Sequence, residues 1–340
     1  MAPPIPYIEA VPGPPFIFLL LNLFTFFFHL IAMNLLLGGN LLLCFDSKLK
    51  EFISLTNGSK LIPVVFAFTV NLGIAPLLFL QVLYGHFFYT SSILMAWFWI
   101  ALIPILIAAY YSVYILTNSS RFYLNKPILI SISLLILWVA FLFCNNMTAM
   151  ISPENFINYF HNQKGTLLNL KERMLWPRYL HFVVASLAIT YLFVAFWAHF
   201  KKEELKGNFL RKFSNLTFVQ LLIGLWLLFS LNSEVLGRLF SSPDFIIIFL
   251  IGSLCGVVSL IEARRNNLKG SILFTILALL SMVIVRHYVR SSYLAPYFKL
   301  GDLTKEPQPF NLFLFLAVFF IGFLVVGWLM KIGFSGARSR

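Results

Sequence analysis

Nine separate apolar runs, each close to bilayer length or beyond it, decide what this 340-residue chain can become. A helix rises about 1.5 Å per residue, so about 20 apolar residues span a hydrocarbon core of about 30 Å. The runs are Pro15–Phe45, Leu61–Tyr89, Ile93–Leu116, Pro127–Asn146, Tyr179–Phe200, Phe213–Leu231, Phe245–Ile261, Ser271–Arg286 and Phe310–Lys331. In lipid every backbone N–H and C=O must be satisfied within the segment, and the helix does this. The expectation is an all-α, polytopic membrane helical bundle, a single integral domain over residues 1–340. Its larger connections are expected at 148–178 and 287–309. A continuous helix from Leu61 to Leu116 would be twice the bilayer, so a turn is expected at Thr90-Ser91-Ser92.

Composition excludes the main alternatives. Hydrophobic residues make up 60% of the chain and charged residues 11%, with a mean hydropathy of +0.89. Soluble globular domains do not have that balance. The net charge of +13 is spread singly and in pairs, which reads as membrane topology and not as a nucleic-acid surface. Cys44, Cys144 and Cys255 stand alone in apolar runs, with no CxxCH haem-attachment site and no CxxC spacing. Their expected role is that of small buried hydrophobes. Phosphate loops, nucleophile elbows and HExxH are absent. Met1–Pro14 is proline-rich and has no basic residue, so the first run is expected to be a retained span and not a cleaved signal.

Lysine and arginine placement sets the expected orientation. With the N-terminus outside, most basic residues fall in inner segments, including Lys48, Lys50, Lys60, Arg121, Lys126, Lys201–Lys212, Arg264, Arg265, Lys269, Lys331, Arg338 and Arg340. The C-terminus is then inside. Arg178, Arg286 and Arg290 go against this bias, at the outer membrane edge. Snorkelling to lipid phosphate is one reason for such a placement, and an anionic cofactor is another.

The histidines sharpen the second reading. On this topology His86, His181 and His287 all lie towards the outer side, His287 at the end of its helix beside Arg286, with His29 near the middle of the first span. His199 is expected at the inner edge and His161 in a solvated loop. Neutral imidazole binds haem iron, and a haem also needs partners for two carboxylates. Ionisable groups within a bilayer are functional by default. His181, His287 and His29 are therefore the candidate iron ligands, with His86 a further candidate cofactor-binding residue. Arg178, Arg286 and Arg290 are candidate partners for the carboxylates. Carboxylates are scarce in the spans, so no proton-carrying chain is evident.

The residues also resemble a family. Phe28-His29-Leu30 with Leu37-Gly38-Gly39-Asn40, Leu83-Tyr84-Gly85-His86-Phe87-Phe88, Asn145-Asn146-Met147-Thr148 and Arg178-Tyr179-Leu180-His181 are similar to stretches of subunit I of the cytochrome bd quinol oxidases. The resemblance implies nine helices, an outside N-terminus and haem-ligand roles for His29 and His181. This chain departs from the family pattern in four places. Ile93–Leu116 has no glutamate, the quinol-binding loop is reduced to Asn232–Pro243, Phe245–Ile261 has no methionine, and Val285-Arg286-His287-Tyr288-Val289-Arg290 replaces a glutamate-containing signature. A retained axial histidine without the proton- and quinol-handling residues favours an electron conduit over a complete oxidase.

The function expected is therefore a haem b-binding subunit of a respiratory electron-transfer complex in a bacterial-type inner membrane. It would carry electrons between the quinone pool and an outer-side cytochrome c. Quinone is a second candidate cofactor, and the expected partners are other membrane subunits, a periplasmic c-type cytochrome and lipid, with no nucleic acid. The competing readings are a haem oxidase or reductase acting on oxygen or nitric oxide, and a haem-free anchor or transporter subunit.

Overall fold

In the computed structural model, which describes residues 3–117 and 125–336, the chain is a bundle of helices. The long ones are α1 (Pro15–Phe45), α3 (Leu61–Leu94), α4 (Ala96–Thr117), α5 (Lys126–Ala149), α6 (Leu175–Lys201), α7 (Glu203–Phe229), α9 (Pro243–Arg264), α10 (Leu268–Leu294) and α11 (Pro309–Gly336). Two short ones, α2 (Ser47–Leu55) and α8 (Ser233–Phe240), cap opposite ends. Nine helices among the described residues are long and apolar enough to cross a membrane. The chain is a multi-pass membrane protein. Arg121, Arg338 and Arg340, which contribute to the expected charge bias, lie outside the described residues.

The chain turns where polar side chains hold the backbone. The Asp46 carboxylate accepts from the N–H groups of Lys48 and Leu49 and starts α2. Asn267 accepts from Gly270 N–H at the start of α10, after Asn266 has taken the left-handed conformation at φ 60°. α1 packs against α3 and α6, α6 lies along α7, and α9 lies along α10. α11 stands at the edge, touching the bundle through Leu312 and through Phe315 on Phe79, with most of its described apolar side chains exposed.

Several boundaries differ from the sequence expectation, among them the start of α7 at Glu203, ten residues before the expected Phe213. Thr90-Ser91-Ser92 do not turn the chain. They are helical, their hydroxyls bonded back to the carbonyls of His86 and Phe88, and the turn falls at Met95. A hydroxyl that bonds the carbonyl a turn behind it satisfies itself without leaving the helix. α10 continues to Leu294, so His287 and Arg290 sit inside the helix and not at its end. Asn232–Pro243 contains α8 instead of open loop. The connection expected from 148 begins only after α5 ends at Ala149, and it contains a 3-10 turn at Pro153–Phe160.

The apolar core divides into two main clusters, one towards each end. Leu36, Leu49, Phe52, Phe66, Ala195, Phe209 and Phe213 belong to one. Phe18, Phe79, Tyr84, Phe87, Met147, Met150, Tyr293 and Leu294 belong to the other. Neither draws a fully buried member from between Phe18 and Leu36 of α1, or between Phe66 and Phe79 of α3. The same is true between Leu268 and Tyr293 of α10. His29, Thr69, Gly73, Arg286, His287 and Arg290 all lie in that break.

Candidate functional site

Three arginines meet beside the break. Arg178 from α6 and Arg286 and Arg290 from α10 line one narrow cavity of about 10 Å³ with Met147, Met150 and Ile151. That is at the threshold for holding a single water. The two α10 arginines are four residues apart, so one helical turn puts both on the same face. Arg178 reaches the cavity from the first turn of α6 and donates to Thr148 Oγ1 at 3.2 Å. Its other terminal nitrogen lies 3.3 Å from Met174 Sδ.

No carboxylate pairs with these guanidinium groups among the described residues. The ion pairs found there involve Asp46, Glu203, Glu234 and Glu262 with other bases. Arg286 is held instead over the face of Phe26, 4.3 Å from the ring centroid, and Arg290 over Tyr84 at 5.2 Å. Arg290 is 8% exposed and its Nη1 has no hydrogen-bond partner. Cation–π contact of this kind offsets about 1–2 kcal/mol, while an unpaired buried charge costs several. Gathering three such charges leaves a site that an anion would stabilise.

His29 is the best-oriented imidazole near them. Its Nδ1 lies 3.1 Å from the Thr69 carbonyl oxygen. A carbonyl only accepts, so Nδ1 carries the proton and the neutral ring presents a bare lone pair at Nε2. This is how metal-binding imidazoles are aimed. Gly73 makes room for the ring, since a Cβ there would come within 2.8 Å of its Cε1. Arg286 is near it, lying over Phe26, whose ring centroid is 6.4 Å from that of His29.

The other histidines are placed differently. The His181 ring faces α7, where Gly224 leaves space for it, and its buried Nδ1 has no partner. His287 lies beside Tyr288, also with an unpartnered Nδ1, and within reach of the charge on Arg290. His86 follows a kink at Tyr84, where φ is −137° and ψ 28°, and packs between Phe87 and Phe298. Its Nε2 is buried and unpartnered, and it does not line the arginine cavity. His161 is exposed, and His199 is exposed and paired with Glu203 at 3.3 Å. The structure thus joins Arg178, Arg286 and Arg290 directly and sets His29 and His287 beside them, while His181 and His86 face other neighbours.

Cys255 is buried, Cys44 and Cys144 are partly buried, and all three are free thiols. Among the described residues no three of His, Cys, Asp or Glu converge as a metal-ion cluster. Sequence reasoning did not single out Thr69, Phe26, Met150 or Ile151. Thr69 and Phe26 carry a legible signal, because each lies three or four residues from Gly73 or His29 and so shares its helix face. Met150 and Ile151 carry none, because they enter the site only through the arrangement of α5 against α6 and α10. Compared with family models, curated proteins and solved structures, the chain matches none.

Proposed function

We propose that the chain is a haem b-binding integral membrane subunit of a respiratory electron-transfer complex in a bacterial-type inner membrane, related to the cytochrome bd subunit. In this reading it carries electrons between the quinone pool and an outer-side cytochrome c. The observation that supports it is the set of three arginines with no carboxylate, at the break in the apolar core, beside an imidazole whose free nitrogen is Nε2. The donor set fits a haem: Arg178, Arg286 and Arg290 would hold its carboxylates, and His29 the iron, with His181 and His287 the other candidate ligands. A bound haem would supply a one-electron carrier in the low-dielectric core. The chain's own part is to fix the His29 tautomer through Thr69, to hold cationic charge within the membrane and to exclude water. The cavity of about 10 Å³ holds no more than a water, so a haem would enter only if the helices carrying Arg178 and Arg286 part, with Met147 and Met150 moving aside.

The test is a reduced-minus-oxidised spectrum and a haem determination on the purified chain. A b-type band with at least one haem per polypeptide is expected. His29→Ala should remove or shift that band, and the Arg178→Gln, Arg286→Gln double variant should lower haem retention. A chain purified with no extractable haem and no b-type band overturns the proposal.

A further inference from the structure

A larger cavity, of about 260 Å³, opens at the same end of the bundle and shares no lining residue with the arginine cavity, although Tyr84 in its wall carries the Arg290 guanidinium on its ring. It lies between α8, the last turns of α10 and the segment after it. Its walls are Tyr84, Tyr288, Leu294, Ala295, Phe298 and Leu300, and its polar members are Arg238, Lys299, Ser291 and Ser292. Every side chain in that polar set can donate a hydrogen bond, and no carboxylate lines the cavity. Arg238 is anchored by donation from Nε to the Ser292 carbonyl at 3.2 Å, with Glu234 3.8 Å from its Nη1 outside the cavity. Lys299 is exposed at the rim.

A second observation points to a ligand. Tyr84 is 1% exposed and its hydroxyl has no hydrogen-bond partner. Ser291 and Arg290 approach that hydroxyl without reaching hydrogen-bond geometry. A buried phenol is seldom left unpaired, because doing so forfeits about 1–3 kcal/mol. Tyr84 is also where α3 leaves helical geometry, and its side chain lines the cavity.

Aromatic walls, a head region rich in donors with no carboxylate, and two cations at the rim of a membrane-spanning bundle describe an amphiphile with an anionic head. We infer that the cavity binds the head of one anionic phospholipid, its phosphate held by Arg238, Lys299 and the Ser291–Ser292 hydroxyls, its acyl chains leaving past Phe298 and Leu300. The cations at the rim favour a charged head over a neutral one such as a quinone. Arg238, Lys299, Ser291 and Ser292 belong to this cavity and not to the arginine cavity, so the lipid contacts do not require haem.

The experiment measures lipid retained by the full-length chain, purified in detergent from mixed phosphatidylglycerol and phosphatidylcholine, by native mass spectrometry. One phosphatidylglycerol per chain should survive delipidation, and its retention should fall with added salt. The Arg238→Gln, Lys299→Gln double variant changes two surface residues and should keep the fold, while reducing retention about tenfold or more. Tyr84→Phe should weaken retention less. Unchanged retention in the double variant overturns the inference. So does equal retention of phosphatidylcholine, displacement by millimolar inorganic phosphate, or capture of a neutral quinone in place of the lipid.

Discussion

The guanidinium of Arg286 lies over the ring of Phe26, its central carbon 4.3 Å from the ring centroid. The contact joins α10 to α1 one turn from His29, and it holds a charge that has no carboxylate. Arg178 and Arg290 share its cavity, so each arginine raises the cost of the others when no anion is present. Arg286→Gln should therefore raise the unfolding temperature of the haem-free protein by about 2 °C, since relief of repulsion and desolvation outweighs the lost ring contact. The same variant should lower that temperature for the haem-loaded protein. Thermal melts with and without haem give the sign of each change, and a fall in both would show that the cluster is not strained by its own charge.

Gly73→Ala tests how His29 is aimed. The new Cβ would lie 2.8 Å from Cε1 and 3.1 Å from Nδ1, so the ring must leave the Thr69 carbonyl or the helices must part. Overpacking of this kind costs about 1–3 kcal/mol. In haem-loaded protein the absorption band should shift together with the loss of stability. A destabilised protein with an unshifted band would remove His29 from the iron.

Two adjacent glycines of α1 should behave oppositely. A Cβ on Gly38 would run into the Ser186 carbonyl of α6, whereas a Cβ on Gly39 meets nothing within 4 Å. Gly38→Ala should cost about 2 kcal/mol or more, because backbone cannot swing aside as a side chain can. Gly39→Ala should be neutral or slightly stabilising, as alanine is the better helix former. Melting temperatures in one detergent compare the pair, and equal effects would contradict the close crossing of α1 and α6.

Asp46 gives stability a pH dependence at the opposite end. Burial pushes its carboxyl up, but hydrogen bonds from Lys212, Tyr191 and the Leu49 backbone, with the Lys212 charge, outweigh it and hold the group below its ordinary range. A carboxyl with a depressed folded-state pKa binds protons less readily than in the unfolded chain. Its contribution is complete above about pH 4 and fades as pH falls through the depressed value. The side chain is 8% exposed but lies at the bundle rim, so screening trims the effect to about 1–2 kcal/mol. Asp46→Asn should lower the melting temperature at pH 7, and the difference from wild type should shrink towards pH 3. A difference that stays constant with pH would rule out the charged interaction.

The contrast between α5 and α10 shows what could be read in advance. For both, the apolar run predicts a helix, because lipid leaves the backbone no other partner. Yet each helix runs past its apolar stretch, to Ala149 and to Leu294. Polar residues at those ends are packed against neighbouring helices instead of water, some of their polar atoms unpaired, and hydropathy alone carries no record of that. Thr90–Ser92 stays helical for the same reason, although its polarity suggests a turn: the Asn146 side chain reaches across from α5 and donates to Ser92 Oγ at 3.0 Å.

By itself the sequence determined the number and approximate placement of the spans, and that histidines and arginines lie among them, because the cost of unpaired backbone in lipid depends only on local composition. Tertiary structure decided which of those side chains meet. Arg178 joins Arg286 and Arg290 because α6 and α10 bring their faces to one cavity, while His181, one turn from Arg178, is turned to Gly224 of α7. Which neighbour a helix face meets is set by packing between segments distant in the chain. His29 gains its tautomer in the same way, from a carbonyl forty residues on in α3.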